Sequence, residues 1–81
     1  MYIKKEDFSY LEGLSKTLDE QKQKIFVTAL TKAAGTRSGE EVIKRIHVVG
    51  DEIFDEMGID PKEFITRTMI KKAYRAVKEG N

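Results

Sequence analysis

Apolar residues recur every three or four positions through most of this chain, a spacing typical of amphipathic helices. The clearest series lies in the second half, where one helical face carries Val42, Ile43, Ile46, Val49, Ile53, Phe54 and Met57. Ser38 and Glu41 have the spacing of an N-terminal capping box, and Gly58 is typical of a residue that ends a helix. The pattern therefore predicts a helix over 39–57.

A second helix is predicted over 61–78. Asp60 is a favourable N-cap, and Pro61 suits the first helical position because its missing N–H has no partner there in any case. The apolar residues of this helix are Ile65, Met69, Ile70, Ala73, Tyr74, Ala76 and Val77. They cover about half of the circumference, so we expect this helix to pack between two elements, or between the body of the protein and a second subunit.

The first half of the chain carries two apolar stripes. The first contains Phe8, Leu11, Leu14 and Leu18, and the second contains Ile25, Phe26, Ala29, Leu30 and Ala33. Thr17 and Glu20 have capping-box spacing, which favours a break near 17–19 and helices over about 6–18 and 19–34. The two stripes differ by only about 60° on a helical projection, so one continuous helix fits the pattern as well.

Because no segment alternates apolar and polar residues as a strand does, we predict an all-α fold, a compact bundle of three to four helices. Its 81 residues, 40% hydrophobic and 36% charged, are expected to form a single helical domain over 1–81. The absence of cysteine excludes disulfides and thiolate metal sites. No apolar run reaches the ~18–20 residues that a bilayer requires, so we expect a cytoplasmic protein that is not in a membrane.

The charge of the chain changes sign near Pro61, although the net charge is only +1. Residues 39–60 contain two bases and seven acids, whereas residues 61–81 contain six bases and two acids. On the final predicted helix, a basic ridge consists of Arg67, Lys71, Arg75 and Lys78. Such a ridge, with Arg37 in an earlier turn, is a candidate contact for a partner protein or for nucleic-acid phosphates. The acidic segment 39–60, which directly precedes this helix, weakens the nucleic-acid interpretation because it can neutralise the ridge.

Candidate catalytic chemistry is sparse. His47 is the only histidine, and Asp51 follows it by four residues, which on a helix is an ordinary surface contact. No nucleophile lies beside His47 in the sequence, and the position three residues before it is Lys44 where a helical di-metal motif requires glutamate. We therefore expect no enzyme activity, no catalytic or metal site and no cofactor.

These observations favour a small non-enzymatic protein-interaction module, adaptor or regulatory, that forms a homodimer through its two C-terminal helices. The predicted self-association surface consists of the wide apolar face of the last helix and one outlying valine: Ile65, Met69, Ile70, Tyr74, Val77 and Val48. The alternative hypothesis is a DNA- or RNA-binding regulator that uses the basic ridge.

Overall fold

A computed structural model describes residues 1–35 and 39–80 of the chain, and most of these residues are helical. The elements in this described part are four α-helices, three short strands and two 3-10 turns, Asp51–Ile53 and Pro61–Glu63. The helices are α1 (Lys5–Lys16), α2 (Glu20–Ala33), α3 (Gly39–Arg45) and α4 (Arg67–Gly80). The strands are β1 (Tyr2–Lys4), β2 (His47–Val49) and β3 (Phe64–Ile65).

The predicted all-α class is therefore wrong in one respect, because a small parallel sheet accompanies the helices. The predicted helix 39–57 ends at Arg45, and the chain continues as β2 and then as a short 3-10 turn at Asp51–Ile53. The predicted helix 61–78 begins only at Arg67. The valines of β2 are β-branched and fit a strand well once β1 is available to pair with it.

The break between the first two helices is confirmed. Asp19 is the N-cap of α2, and its carboxylate accepts a hydrogen bond of 2.8 Å from the backbone N–H of Lys22. The side-chain amide of Gln23, also in α2, reaches back across the turn and donates to the carbonyls of Ser15 and Leu18. These bonds occupy groups that the two helix ends leave without intrahelical partners.

The strand order is β2-β1-β3, and both pairings are parallel. In register, Ile3 of the central strand lies between Val48 and Ile65, so these three side chains share one face of the sheet. Phe64 points to the opposite face, where its ring meets that of Phe54 at a centroid distance of 3.9 Å. The helices therefore cover one face of the sheet, and the segment after β2 covers part of the other.

The core lies between the helices and the sheet. Its buried apolar residues include Ile3, Leu18, Phe26, Leu30, Val42, Ile65, Ile70, Ala73 and Val77. Helix α4 packs mainly against α2 and also against α1, and the rings of Tyr74 and Phe26 pack edge to face with their centroids 5.8 Å apart. The wide apolar face of α4 is thus enclosed by two elements of the same chain.

Candidate interaction surface

An apolar groove of about 260 Å³ lies on the helix-covered side of the sheet, next to strand β2. Its lining comes from α1, α2, α3, the residue that links α3 to β2, and the middle of β2: Phe8, Leu11, Glu12, Ser15, Val27, Leu30, Val42, Ile43, Ile46 and Val48. Leu30 and Val42 are buried and form its floor. Ile43 and Val48 are 60% and 44% exposed, so two large apolar side chains on this groove face solvent.

Strand β2 lies at the edge of the sheet, and its backbone has one outward-facing residue. The N–H of His47 donates to the carbonyl of Met1 at 3.1 Å, which directs His47 toward β1. In a parallel ladder, successive residues direct their N–H and C=O groups to alternate sides. The backbone N–H and C=O of Val48 therefore point away from β1, along the open edge.

The two ends of β2 carry opposite charges. Lys44 and Arg45 are exposed at the end of α3, immediately before the strand. Asp51 and Glu52 are exposed in the 3-10 turn that follows it. Asp51 also forms an ion pair of 3.7 Å with Lys4 of the central strand, which holds the acidic end close to the sheet. The edge is thus basic at its start, apolar in the middle and acidic at its end.

The basic ridge predicted on the last helix is only partly available to a partner. The Nε atom of Arg67 donates to a carboxylate oxygen of Asp7 at 3.0 Å, and its guanidinium lies 4.8 Å from the ring centre of Tyr10. Arg67 therefore joins α4 to α1. Lys71, Arg75 and Lys78 are exposed on α4, with the Lys78 amine 5.7 Å from the ring centre of Tyr74. Arg37 lies outside the described residues.

The predicted self-association surface is mostly interior. Ile65, Ile70 and Val77 are buried in the core of the single chain, while Met69 and Tyr74 are half-buried beside it. The sequence pattern does not reveal the parallel sheet and the α2 packing that cover these residues. Val48 alone of this set is exposed.

Two features of this edge are missing from the sequence-based prediction. The periodicity places Ile43 on the apolar face of the predicted helix 39–57, yet it is the most exposed of the large apolar residues in the described chain. The open backbone of β2 is not foreseen from the sequence, because the apolar period places 46–49 in a helix. The signal that would have found it is the run Ile46, His47, Val48 and Val49, in which three of the four residues are β-branched.

The histidine and the acidic residues of the described chain lie apart from one another. His47 is exposed, with its ring 5.9 Å from that of Tyr2, and no group of three potential metal ligands is present among the described residues. A larger cavity of about 620 Å³ has charges of mixed sign on its lining, from Glu41, Arg45 and Glu63. In the described chain, no helix is long and apolar enough to cross a bilayer.

Comparison of the chain with models of protein families, with curated proteins and with solved structures finds no significant match. The strongest functional feature is therefore the open side of the segment from Ile43 to Glu52 with the apolar groove beside it, here called the α3–β2 edge.

Proposed function

We propose that this protein is a small non-enzymatic protein-interaction module, adaptor or regulatory, and that it binds its partner protein at the α3–β2 edge. The observation that carries the proposal is the apolar groove beside an open edge strand, with Ile43 and Val48 exposed on it. Open strand edges and apolar grooves are recurring sites at which proteins bind extended or helical segments of other proteins.

The composition of the groove favours a protein partner over a small ligand. Small-molecule sites hold their ligand with a few convergent polar groups, whereas the polar residues on this groove are Glu12 and Ser15 of α1. Covering the exposed parts of Ile43 and Val48 is worth only about 2 kcal/mol in total. A stable complex therefore requires the backbone groups of β2 and the charged flanks as well, and a folded partner supplies all three contacts.

The test is a capture experiment with matched variants in a nuclease-treated extract of the source cells. The bait is the wild-type chain, Ile43→Glu, or Ile53→Glu, which introduces the same charge at a residue that is 45% exposed and does not line the groove. We expect the same protein on the wild type and on Ile53→Glu, and its loss from Ile43→Glu. Equal capture by all three folded baits, or by none, contradicts the proposal.

A second candidate function is nucleic-acid binding through α4, favoured by the exposure of Lys71, Arg75 and Lys78 along one helix. Closely spaced cations bind phosphates in a strongly salt-dependent manner. Fluorescence anisotropy with single-stranded and duplex oligonucleotides at about 50 mM salt tests it. Lys71→Glu with Arg75→Glu should weaken binding, and Lys22→Glu with Lys24→Glu on α2 is the control. Unchanged binding by the α4 variant excludes this function.

We also assign the module to the cytoplasm as part of the proposal. The chain contains no cysteine, so its fold does not depend on an oxidising compartment. Fluorescence microscopy of the tagged chain in its source cells tests this assignment, and an extracellular or membrane signal contradicts it.

A further inference from the structure

We infer that the partner at the α3–β2 edge is a second copy of this chain, which pairs strand β2 with its own β2 across a two-fold axis. The inference rests on the proposed function and names the partner that the edge fits. Three features of the edge support this pairing: the backbone of Val48, the order of charges along the edge and the composition of the strand. A different protein at the same edge is an outcome of the test below.

The backbone of β2 suits an antiparallel pairing centred on Val48. Because His47 directs its N–H to Met1, Val48 has both its N–H and its C=O on the open side. A two-fold axis beside Val48 brings it opposite the partner's Val48. Each residue then donates its N–H to the carbonyl of the other, which is the hydrogen-bonded pair of an antiparallel ladder. The two sheets become one continuous sheet.

The order of charges selects the antiparallel direction. Each copy has Lys44 and Arg45 before the strand and Asp51 and Glu52 after it. In the antiparallel pairing the start of one strand lies beside the end of the other, so each basic flank meets an acidic flank. A parallel pairing places like charges beside one another, which is unfavourable. A two-fold interface is self-complementary, and this edge already carries both halves of the charge pattern.

The apolar contacts agree with the same axis. The side chain of Val48 points to the helix-covered face, because it is in register with buried Ile3. With the axis perpendicular to the sheet, both helix layers lie on the same face, and the two Val48 side chains meet there. Ile43 lines the same groove as Val48, so the second copy covers it too. In this arrangement the second copy therefore covers both exposed apolar residues of the groove, Ile43 and Val48.

The composition of β2 argues that its edge is covered. Soluble proteins commonly protect an exposed edge strand with proline, with lysine or with a β-bulge. The strand His47–Val49 has the sequence His-Val-Val, which contains neither proline nor lysine, and its pairing with β1 runs without a bulge. At three residues, β2 is one residue longer than the opposite edge strand, Phe64–Ile65.

Sedimentation equilibrium across the micromolar range tests the inference, with Val48→Pro and Val48→Thr as matched variants. Proline removes the outward N–H of Val48 but leaves the bonds of His47 to β1 in place, so the monomer keeps its fold. We expect a reversible dimer for the wild type and for Val48→Thr. Val48→Pro should be a monomer with an unchanged far-UV circular dichroism spectrum. A folded Val48→Pro that dimerises like the wild type overturns the inference.

A charge exchange provides a second test that does not alter the strand. Lys44→Glu alone and Glu52→Lys alone each place like charges at both ends of the homodimer, and we expect each to weaken dimerisation about tenfold. An equimolar mixture of the two variants restores opposite charges at both ends, so it should form a heterodimer of wild-type strength. A mixture that associates no better than either variant alone overturns the antiparallel arrangement.

The outcomes separate this inference from the proposed function. If the wild-type chain is strictly monomeric over the micromolar range, the inference is overturned. In that case, capture of another protein that depends on Ile43 leaves the proposed function standing with a different partner. If the chain is monomeric and its capture of other proteins does not depend on Ile43, both the inference and the proposed function are overturned.

Discussion

Replacing Arg67 with alanine is expected to lower the stability of the fold, even though the sequence presents this arginine as part of a binding ridge. The substitution removes two contacts between α4 and α1. One is the hydrogen-bonded ion pair with Asp7 at 3.0 Å, and the other is the stacking of the guanidinium over the ring of Tyr10 at 4.8 Å. Both contacts connect residues about sixty positions apart, so they restrain the overall fold.

The size of the effect follows from the exposure of the two groups. The Arg67 side chain is 45% exposed and is therefore screened by solvent, whereas that of Asp7 is only 14% exposed. An ion pair of this kind contributes about 0.5–1 kcal/mol, and a cation over an aromatic ring near the surface adds about 0.5–1 kcal/mol. The free energy of unfolding should fall by about 1–2 kcal/mol, which corresponds to a decrease of about 5–10 °C in Tm.

The assay is urea unfolding followed by circular dichroism, with Arg75→Ala as the control. Arg75 is an exposed arginine on the same helix, and arginine and alanine have similar helix propensities, so the control should change stability by less than about 0.5 kcal/mol. A double-mutant cycle of Asp7→Asn with Arg67→Met should give a coupling energy of about 0.5–1 kcal/mol. Equal stability of Arg67→Ala and Arg75→Ala, or a coupling energy of zero, refutes the reasoning.

Three further stability predictions can be checked by the same unfolding measurement. Phe26→Ala removes a fully buried ring and should cost about 3–5 kcal/mol, enough to leave the chain largely unfolded; a folded variant of normal stability contradicts the core assignment. Gly58→Ala should cost about 1 kcal/mol because Gly58 has a φ of 63°, whereas Gly50→Ala, at a φ of −76°, should be neutral; equal effects contradict this. Asp19→Ala should cost about 1 kcal/mol through loss of the α2 cap, and Asp19→Asn should retain most of the stability.

The helices could be predicted because their signals are local. Periodic apolar residues over twelve or more positions identify α1 and α2, and the break between them follows from the capping residues around Asp19. Helix α4 could be identified in the same way, although its start could not. The apolar period extends backward through Ile65, which is in fact a strand residue.

The sheet could not be predicted because its strands are stabilised by pairing with residues far away in the sequence. Its strands contain two or three residues each, too few for an alternating pattern, and they pair across more than forty positions between Tyr2 and His47. The residues 46–49 fit a helical period as well as a strand, and only the presence of β1 decides between them. The candidate site depends on whether 47–49 is a helix or a strand, because the backbone of Val48 forms an open sheet edge only in a strand.

The most direct measurement of the β2 pairing is amide hydrogen exchange of Val48, followed by NMR at several protein concentrations. In a monomer this N–H points away from β1 along the open edge, whereas in the proposed dimer it is bonded to the partner's Val48. We expect protection of the Val48 amide to rise with protein concentration, in step with dimer formation, while protection of the His47 amide, bonded to Met1, is present throughout. A Val48 amide that exchanges equally fast in monomeric and dimeric samples would contradict the account.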